Sequence, residues 1–334
     1  MREIVRMKFG SHLFGTSTPA SDVDYKAVHV PDGRSILLGR VKAVYTQNTK
    51  TSTAERNTAG DIDSESYALQ KFLALAAEGQ TVAMDMLFAT PSVWLSEPSY
   101  IWHEIRENKD KLITSRAASF VGYCRTQANK YGIKGSRMAT ARAIVELLEH
   151  SLRNGGTTHK LSAMYTVLDA FAKTHEHAAM YEIEQHPEKD GPCHMIMHLE
   201  ICNRKCPLTF TIKKAHEIYS GLFNEYGKRA LAAETNQGID WKALSHAVRV
   251  ARECVELLTT GNITFPRPER QRLLDIKTGK LDYSEVAEEI EMLLPMAEEA
   301  SANSKLRPTP DYEWIDNFVE TIYGDEVHHY RAGW

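Results

Sequence analysis

Three short segments near the N-terminus have the pattern of β-strands, with apolar or β-branched residues at alternate positions and Gly, Pro or Ser clusters at their ends. They cover residues 3–9, 23–30 and 63–69. The polar stretch 46–60 has little to bury, and we expect it to be a mobile loop that could close over a ligand. The pattern therefore predicts a small mixed sheet at the start of the chain.

From residue 67 onward the apolar positions recur at helical spacing, and helices dominate to the end of the chain. After a helix that ends at Gly79, further helices are predicted at residues 99–108, 117–130, 136–153, 161–174, 212–234, 240–260 and 283–300. Residues 194–210 form an exception, because two apolar runs flank a polar tripeptide and predict a β-hairpin. Residues 324–334 are expected to form a loosely docked tail.

The fold class that follows is α+β. A small mixed-sheet domain, residues 1–113, is followed by a mostly helical domain, residues 114–334, which contains the small hairpin near residues 194–210. With 334 residues the chain is long enough for each domain to bury a core of its own.

Composition excludes several classes of protein. Hydrophobic residues make up 43% and charged residues 25%, as in ordinary globular proteins. No apolar run approaches the roughly 18 residues of a membrane span, the N-terminus lacks the apolar core of a signal peptide, and the five cysteines are scattered. We therefore expect a cytoplasmic protein without disulfides or membrane contact. P-loop, Rossmann, GxSxG and HExxH motifs are not present in the sequence.

The net charge of −4 opposes general attraction to nucleic acid, so a polyanion would need a local basic surface. One stretch fits this requirement, because no acidic residue occurs between Asp110 and Glu146. Its basic residues are Lys111, Arg116, Arg125, Lys130, Lys134, Arg137 and Arg142. Solvated helix faces usually mix both signs of charge, so this stretch favours a surface that faces phosphates.

Two carboxylates follow a Gly-Ser turn in the segment GSHLFGTSTPASDVDYKAV, residues 10–28. Asp22 and Asp24 are two positions apart, so on a strand they project from one face and can share a divalent cation. Gly10 allows a tight turn after the first strand, and Ser11 with the following amides can hold a phosphate oxygen. A ligand set made only of oxygen atoms favours Mg²⁺ or Mn²⁺ over zinc.

A second metal ion would need a third acidic residue. Asp63 and Glu65 lie at strand spacing on the third extended segment and are the candidates, and Asp61 is a weaker one. Asp85 is the next candidate if the second ion is held elsewhere. An Asp-x-Asp pair alone is common in turns, but its combination with a Gly-Ser turn and a strand on each side is far more specific.

This combination resembles the hG[GS]…[DE]h[DE] signature of the DNA polymerase β superfamily of nucleotidyltransferases. It is most similar to the RlaP and YcgL group of bacterial and phage enzymes, whose pattern is GSHxxGxxxPxSDxDxxxV. The matching residues are Gly10, Ser11, His12, Gly15, Pro19, Ser21, Asp22, Asp24 and Val28. Residues 63–88, 120–138 and 240–266 also resemble segments of that group, so the resemblance covers most of the chain.

The resemblance implies a catalytic domain at residues 1–113 and a helical substrate-binding domain at residues 114–334. It implies two Mg²⁺ or Mn²⁺ ions, with Asp22 and Asp24 as bridging ligands and Asp63 or Glu65 as the third acid. A nucleoside triphosphate would be the substrate. The residues expected to bind it or an acceptor phosphate are Gly10, Ser11, Ser21, Lys130, Lys134, Arg137, His246 and Arg249.

Three hypotheses for function follow. The first is transfer of a nucleoside monophosphate from the triphosphate to an RNA 3′ hydroxyl, such as a damaged tRNA end, with release of pyrophosphate. The second is transfer to a hydroxyl of a protein or small molecule, as in antitoxin-type relatives of the superfamily. The third is a nucleotide-binding protein that keeps the fold without catalysis.

Overall fold

The computed structural model describes residues 1–19, 21–48, 62–115, 122–123, 126–127, 135–154, 158–185, 194–235 and 239–333. The predicted α+β class is confirmed, since a mixed sheet near the N-terminus is followed by a region in which helices predominate. Within these residues no helix is both long and apolar enough to cross a lipid bilayer.

The strands and α-helices of the described residues follow one another in this order: β1 (Arg2–Phe9), α1 (Ser11–Phe14), β2 (Val23–Val30), α2 (Gly33–Leu37), β3 (Val44–Asn48), β4 (Ile62–Ala68), α3 (Leu69–Ala77), α4 (Thr81–Phe88), α5 (Tyr100–Glu107), α6 (Gly135–Arg153), α7 (Tyr165–Thr174), β5 (Ala178–Gln185), β6 (His194–Ile201), β7 (Arg204–Pro207), α8 (Ile212–Thr235), α9 (Trp241–Thr260), α10 (Arg270–Lys277), α11 (Tyr283–Asn303) and α12 (Tyr312–Ala332).

The N-terminal sheet has the strand order β1-β2-β4-β3. Strand β2 pairs antiparallel with β1 and parallel with β4, and β3 pairs antiparallel with β4. Parallel neighbours place residues of matching register side by side, so Asp24 lies opposite Asp63 and Lys26 lies opposite Glu65. This register brings two segments that are far apart in sequence into one site.

Helices α3 and α5 pack against the sheet through an apolar stripe. Phe72 of α3 and Trp102 of α5 are fully buried, and their ring centroids lie 5.3 Å apart. Burial of apolar surface at this interface contributes roughly 25 cal/mol per Å² removed from water. The sheet is thereby fixed on a rigid base, which holds the acidic residues of β2 and β4 in place.

The chain forms two compact units that are not continuous in sequence. The first comprises residues 1–126, 241–280 and 292–334, and the second comprises residues 127–240 and 281–291. These units do not coincide with the stretches 1–113 and 114–334, because helices α9, α10 and α12 belong with the N-terminal sheet. The functional division at residue 113 stays a prediction.

The second unit contains the three-stranded antiparallel sheet β5-β6-β7. Strands β6 and β7 are joined at Cys202 and Asn203, which both have a positive φ, so the predicted hairpin at residues 194–210 is confirmed. Helices α6 and α8 pack against each other beside this sheet. Strand β5 was not predicted, since its sequence AAMYEIEQ has a weak alternation of apolar and polar residues.

Two expectations about irregular segments are wrong. Residues 46–48 of the predicted loop belong to strand β3, where the backbone is paired with β4, and residues 49–60 lie outside the described residues. Residues 324–332 of the predicted loose tail are helical, because α12 packs against α2 and α3. Gly33 permits this close packing, since a Cβ atom there would lie 2.7 Å from Cβ of Tyr330.

Candidate active site

The turn between β1 and α1 places a glycine directly against an acidic side chain. Gly10 has φ 59°, a backbone conformation that favours glycine. A Cβ atom at this position would collide with the carboxylate of Asp24. Glycine is therefore needed both for the turn and for the approach of Asp24, which lies beside Phe9 in the β1–β2 register.

Three acidic residues lie at the start of β2 and β4. Asp22 immediately precedes β2, Asp24 lies within it, and Asp63 is the register partner of Asp24 on β4. Burial and then the neighbouring charges of Asp22 and Asp63 raise the pKa of Asp24, although Lys26 and Lys242 act in the opposite direction. Ionised Asp24 would therefore be stabilised by an additional positive charge.

Glu65, the other candidate for the third acid, has a different environment. Its Oε2 lies 2.6 Å from Nζ of Lys26 and accepts a second hydrogen bond from the hydroxyl of Tyr67. Burial opposes ionisation of Glu65, but these two hydrogen bonds hold its pKa below the usual range. Lys26 therefore already neutralises much of the Glu65 charge.

A cleft opens in front of Asp22 and Asp24 within the first compact unit. The empty space of the cleft, including the part open to solvent, is about 580 Å³. The lining residues are Gly10, Ser11, Phe14, Thr16, Asp22, Asp24, Lys242, Ser245, His246, Arg249, Leu273 and Lys277. The cleft thus has an acidic wall from the sheet and a basic wall from α9 and α10.

Two lysines supply positive charges to the basic wall. Lys242 is exposed at the start of α9, and Lys277 is half-buried at the end of α10, where its Nζ donates to the carbonyl oxygen of Thr16 at 3.4 Å. Burial and then the charge of Lys242 lower the pKa of Lys277, while Asp22 opposes this effect. A lysine whose charge is disfavoured by a second lysine forms, with it, a site suited to an anion.

Arg249 lies behind the lysines in a buried ion-pair network. Its Nη1 donates to Oδ2 of Asp85 at 3.2 Å and to Oε2 of Glu253 at 2.7 Å. Its guanidinium carbon lies 3.7 Å from the ring centroid of Phe14. Asp85, the reserve candidate for a metal ligand, is 1% exposed and serves this network instead of the cleft surface.

Arg267 extends this network and ties it to α1. Its side chain pairs with Glu256 at 2.5 Å and with Glu269 at 3.0 Å, and it lies 3.9 Å from Glu253. The backbone N–H of Arg267 donates to the carbonyl oxygen of Phe14. Burial raises the pKa of Glu253 in spite of Arg249, as expected for a carboxyl group fully removed from water.

The structure brings six of the predicted site residues to the cleft: Gly10, Ser11, Asp22, Asp24, His246 and Arg249. Ser21 lies just outside it, where its Oγ accepts from the Thr18 N–H and closes a turn before Asp22. Arg137 lies on α6 in the other compact unit and is 8% exposed. Lys130, Lys134 and Asp61 lie outside the described residues.

Neither lysine of the basic wall was predicted from the sequence. Lys242 precedes His246 by four residues on α9. The helix face that contains His246 and Arg249 therefore also contains Lys242 and Ser245. Extension of that face by one turn would have predicted Lys242 and Ser245 as site residues. Lys277 carries no local signal, because only the packing of α10 against α9 brings it to the cleft.

The acidic wall fits a divalent cation by its chemistry. Mg²⁺ is usually held by one or two carboxylates together with substrate phosphates and water, and Asp22 and Asp24 supply such a pair. Among the described residues, no group of three or more His, Cys, Asp or Glu side chains is arranged as a metal site by itself. The described residues thus offer a partial ligand set, which further oxygen ligands would complete.

A mixed sheet that presents a Gly-Ser turn and two aspartates to a cleft is the arrangement expected of a nucleotidyltransferase of the DNA polymerase β superfamily. A model of the RlaP family, described as the RNA repair pathway DNA polymerase beta family, matches residues 2–155. An uncharacterized 38.9 kDa protein of Enterobacteria phage T4, from the nrdC-mobD intergenic region, is 35% identical over 333 residues and is matched over 97% of both chains. No solved structure matches the chain. The chain belongs to the RlaP family.

Proposed function

We propose that this protein transfers a nucleoside monophosphate from a nucleoside triphosphate to the 3′ hydroxyl of an RNA, with release of pyrophosphate. The observation that carries this proposal is the cleft in which Asp22 and Asp24 face Lys242 and Lys277. A triphosphate needs cationic groups along its length and a place for a metal ion at the reacting phosphate. The two walls of the cleft supply both requirements.

The residues of the basic wall bind and orient the substrate. Lys242 and Lys277 hold the phosphate oxygens, and Ser11 contributes a hydroxyl group at the turn after β1. Fixing the triphosphate between rigid elements raises the rate, because the reacting groups no longer have to find their orientation by diffusion. Lys277 is already anchored through the Thr16 carbonyl, so it loses little freedom when it binds phosphate.

The residues of the acidic wall hold the divalent cations. Asp22 and Asp24 would hold the cations in this proposal, and Asp63 would be the third acid, because Glu65 is engaged by Lys26. When bound, Mg²⁺ or Mn²⁺ stabilises the negative charge that develops during attack of a hydroxyl group on the α-phosphorus. Gly10 keeps the carboxylate of Asp24 in position, since any larger residue would displace it.

The choice of RNA as acceptor is supported by the family description, which refers to an RNA repair pathway. The acid-free stretch from Lys111 to Arg142 supports it in the sequence, since a basic surface can bind an RNA backbone. A structured end, such as that of tRNA, suits a protein whose net charge is negative, because local recognition then replaces general attraction.

The proposal is tested by incubating the protein with each of the four α-³²P-labelled nucleoside triphosphates, Mg²⁺ or Mn²⁺, and separate pools of tRNA and cell protein. We expect label in tRNA, and 3′-terminal blocking of the tRNA by periodate oxidation should abolish it. Label in protein alone would replace the RNA acceptor with a protein hydroxyl. Label in neither pool, with nucleotide binding intact, would contradict the transferase proposal.

A further inference from the structure

His246 occupies a special position on the basic wall. Its ring is exposed to the cleft, and its Nδ1 lies 3.0 Å from Nη2 of Arg249. The ring of Tyr123 meets it edge to face with a centroid distance of 5.3 Å. His246 is therefore fixed from two sides while one edge of its ring remains accessible.

The contact with Arg249 determines the protonation of the ring. A guanidinium group can only donate hydrogen bonds, so Nδ1 of His246 must be the acceptor and carry no proton. The surrounding protein, followed by the positive charges of Arg249 and Lys242, lowers the pKa of His246 to about 4. The ring is thus neutral near pH 7, and its proton lies on Nε2.

Arg249 cannot easily turn away from His246. Its Nη1 is held by Asp85 and Glu253, and its planar face is covered by Phe14. Three independent contacts fix the guanidinium, so Nη2 stays directed at the imidazole. The buried network therefore acts on the cleft by maintaining one tautomer of His246.

A neutral N–H donor beside an aromatic ring suits a different part of the substrate from the lysines. Lys242 and Lys277 already supply charge for the phosphates, and a neutral imidazole adds no further charge for them. The edge contact with Tyr123 places an aromatic ring beside His246, as expected near a nucleoside. An uncharged oxygen or nitrogen atom of the sugar or base matches the single donor.

We infer that His246 donates a hydrogen bond from Nε2 to an uncharged acceptor atom of the nucleoside, and that Arg249 is the positioning residue that presents this donor. This inference rests on the proposed function, because it assumes a nucleoside triphosphate in the cleft. It assigns the nucleoside end of the site to His246 and the triphosphate end to the two lysines.

The test compares two probes, the four nucleoside triphosphates and inorganic tripolyphosphate, by equilibrium dialysis with Mg²⁺. His246→Phe removes the donor and keeps a ring, and His246→Gln keeps an uncharged N–H donor. We expect His246→Phe to weaken binding of the preferred nucleotide about tenfold without changing tripolyphosphate binding. His246→Gln should restore most of the affinity. His328→Phe, on an exposed face of α12, is the matched control.

Equal loss of both probes in His246→Phe would overturn the inference, since His246 would then act on the phosphates or on the fold. Unchanged binding of both probes would overturn it too, and so would failure of His246→Gln to recover affinity. Thermal unfolding of each variant shows whether the fold is intact. Wild-type protein that binds tripolyphosphate but none of the four nucleotides would instead overturn the proposed function.

The tautomer gives a second measurement that does not depend on any ligand. ¹⁵N spectra of the histidine side chains should show His246 as neutral with the proton on Nε2 at pH 7. Spectra that place the proton on Nδ1, or that show a charged ring, would contradict the role given to Arg249.

Discussion

The molecule contains two clusters of carboxylates whose negative charges are compensated in different ways. In the cleft, Asp22 and Asp24 lie near a third acid, and the two lysines that line the cleft belong to the opposite wall. In the buried network, Asp85 and Glu253 are hydrogen-bonded to the guanidinium of Arg249. The carboxylates of the cleft would be stabilised by an additional positive charge. The buried carboxylates are already stabilised by the charge of Arg249.

The difference separates acids that serve a ligand from acids that serve the fold. A buried carboxylate without a partner costs several kcal/mol, so Asp85 and Glu253 depend on Arg249 for stability. A half-buried carboxylate at a cleft can instead bind a cation from solution, and until it does so it is repelled by the neighbouring carboxylates. Loss of a charged group in the buried network should therefore destabilise the protein. Loss of a carboxylate in the cleft should instead inactivate it.

The largest effect is expected from Arg249→Met. This change leaves Asp85 and Glu253 buried without their shared cation, and we expect the free energy of unfolding to fall by about 3–5 kcal/mol. Urea unfolding at pH 7 measures it. Asp24→Asn is the matched comparison, and its unfolding free energy should change by less than about 1 kcal/mol, because it removes a charge that Asp22 and Asp63 disfavour. Equal losses in the two variants would contradict the distinction.

The next effect concerns activity alone. We expect Asp22→Asn and Asp24→Asn each to reduce nucleotidyl transfer more than about 100-fold, because loss of residues that only support metal ligands already costs about 10- to 100-fold. Initial rates of label incorporation measure this loss. Asp110→Asn, which removes an exposed acid that does not line the cleft, should keep the wild-type rate. An active Asp24→Asn protein would show that the site has been misplaced.

The smallest effect distinguishes the two candidates for the third acid. Asp63→Asn should lower the transfer rate about tenfold more than Glu65→Gln does, because Glu65 is already paired with Lys26 and Tyr67. Glu65→Gln should instead act on stability, with a loss of about 1 kcal/mol in unfolding free energy. Kinetics and urea unfolding of both variants make the comparison. The opposite ranking of rates would assign the third metal ligand to Glu65.

Local patterns were sufficient for the elements that carry the acidic wall. The period-2 alternation of residues 23–30 predicted β2 with its observed bounds, and it placed Asp22 and Asp24 together because strand geometry depends on neighbouring residues only. Helix α9 was predicted to within one residue of its observed start. Its strong amphipathic pattern predicted that His246 and Arg249 share a face.

Properties that depend on tertiary packing could not be predicted in this way. The parallel pairing of β2 with β4 sets the register of Asp24 and Asp63, and no local pattern encodes it. The environment of Arg249 depends on Asp85, which is 164 residues away along the chain. The spacing of His246 and Arg249 predicted that they share a helix face. It could not show that His246 is exposed in the cleft or that Arg249 is held by buried carboxylates.

The cleft between the acidic and basic walls is the proposed binding site of the nucleotide. Equilibrium dialysis of a labelled nucleoside triphosphate with Mg²⁺ tests it without reference to any acceptor. The double variant Lys242→Gln, Lys277→Gln should lose at least about tenfold in affinity, because two charged hydrogen-bond donors to phosphate are removed. Lys280→Gln, which alters an exposed lysine paired with Asp275, should bind as the wild type does. Wild-type affinity in the double variant would contradict the claim.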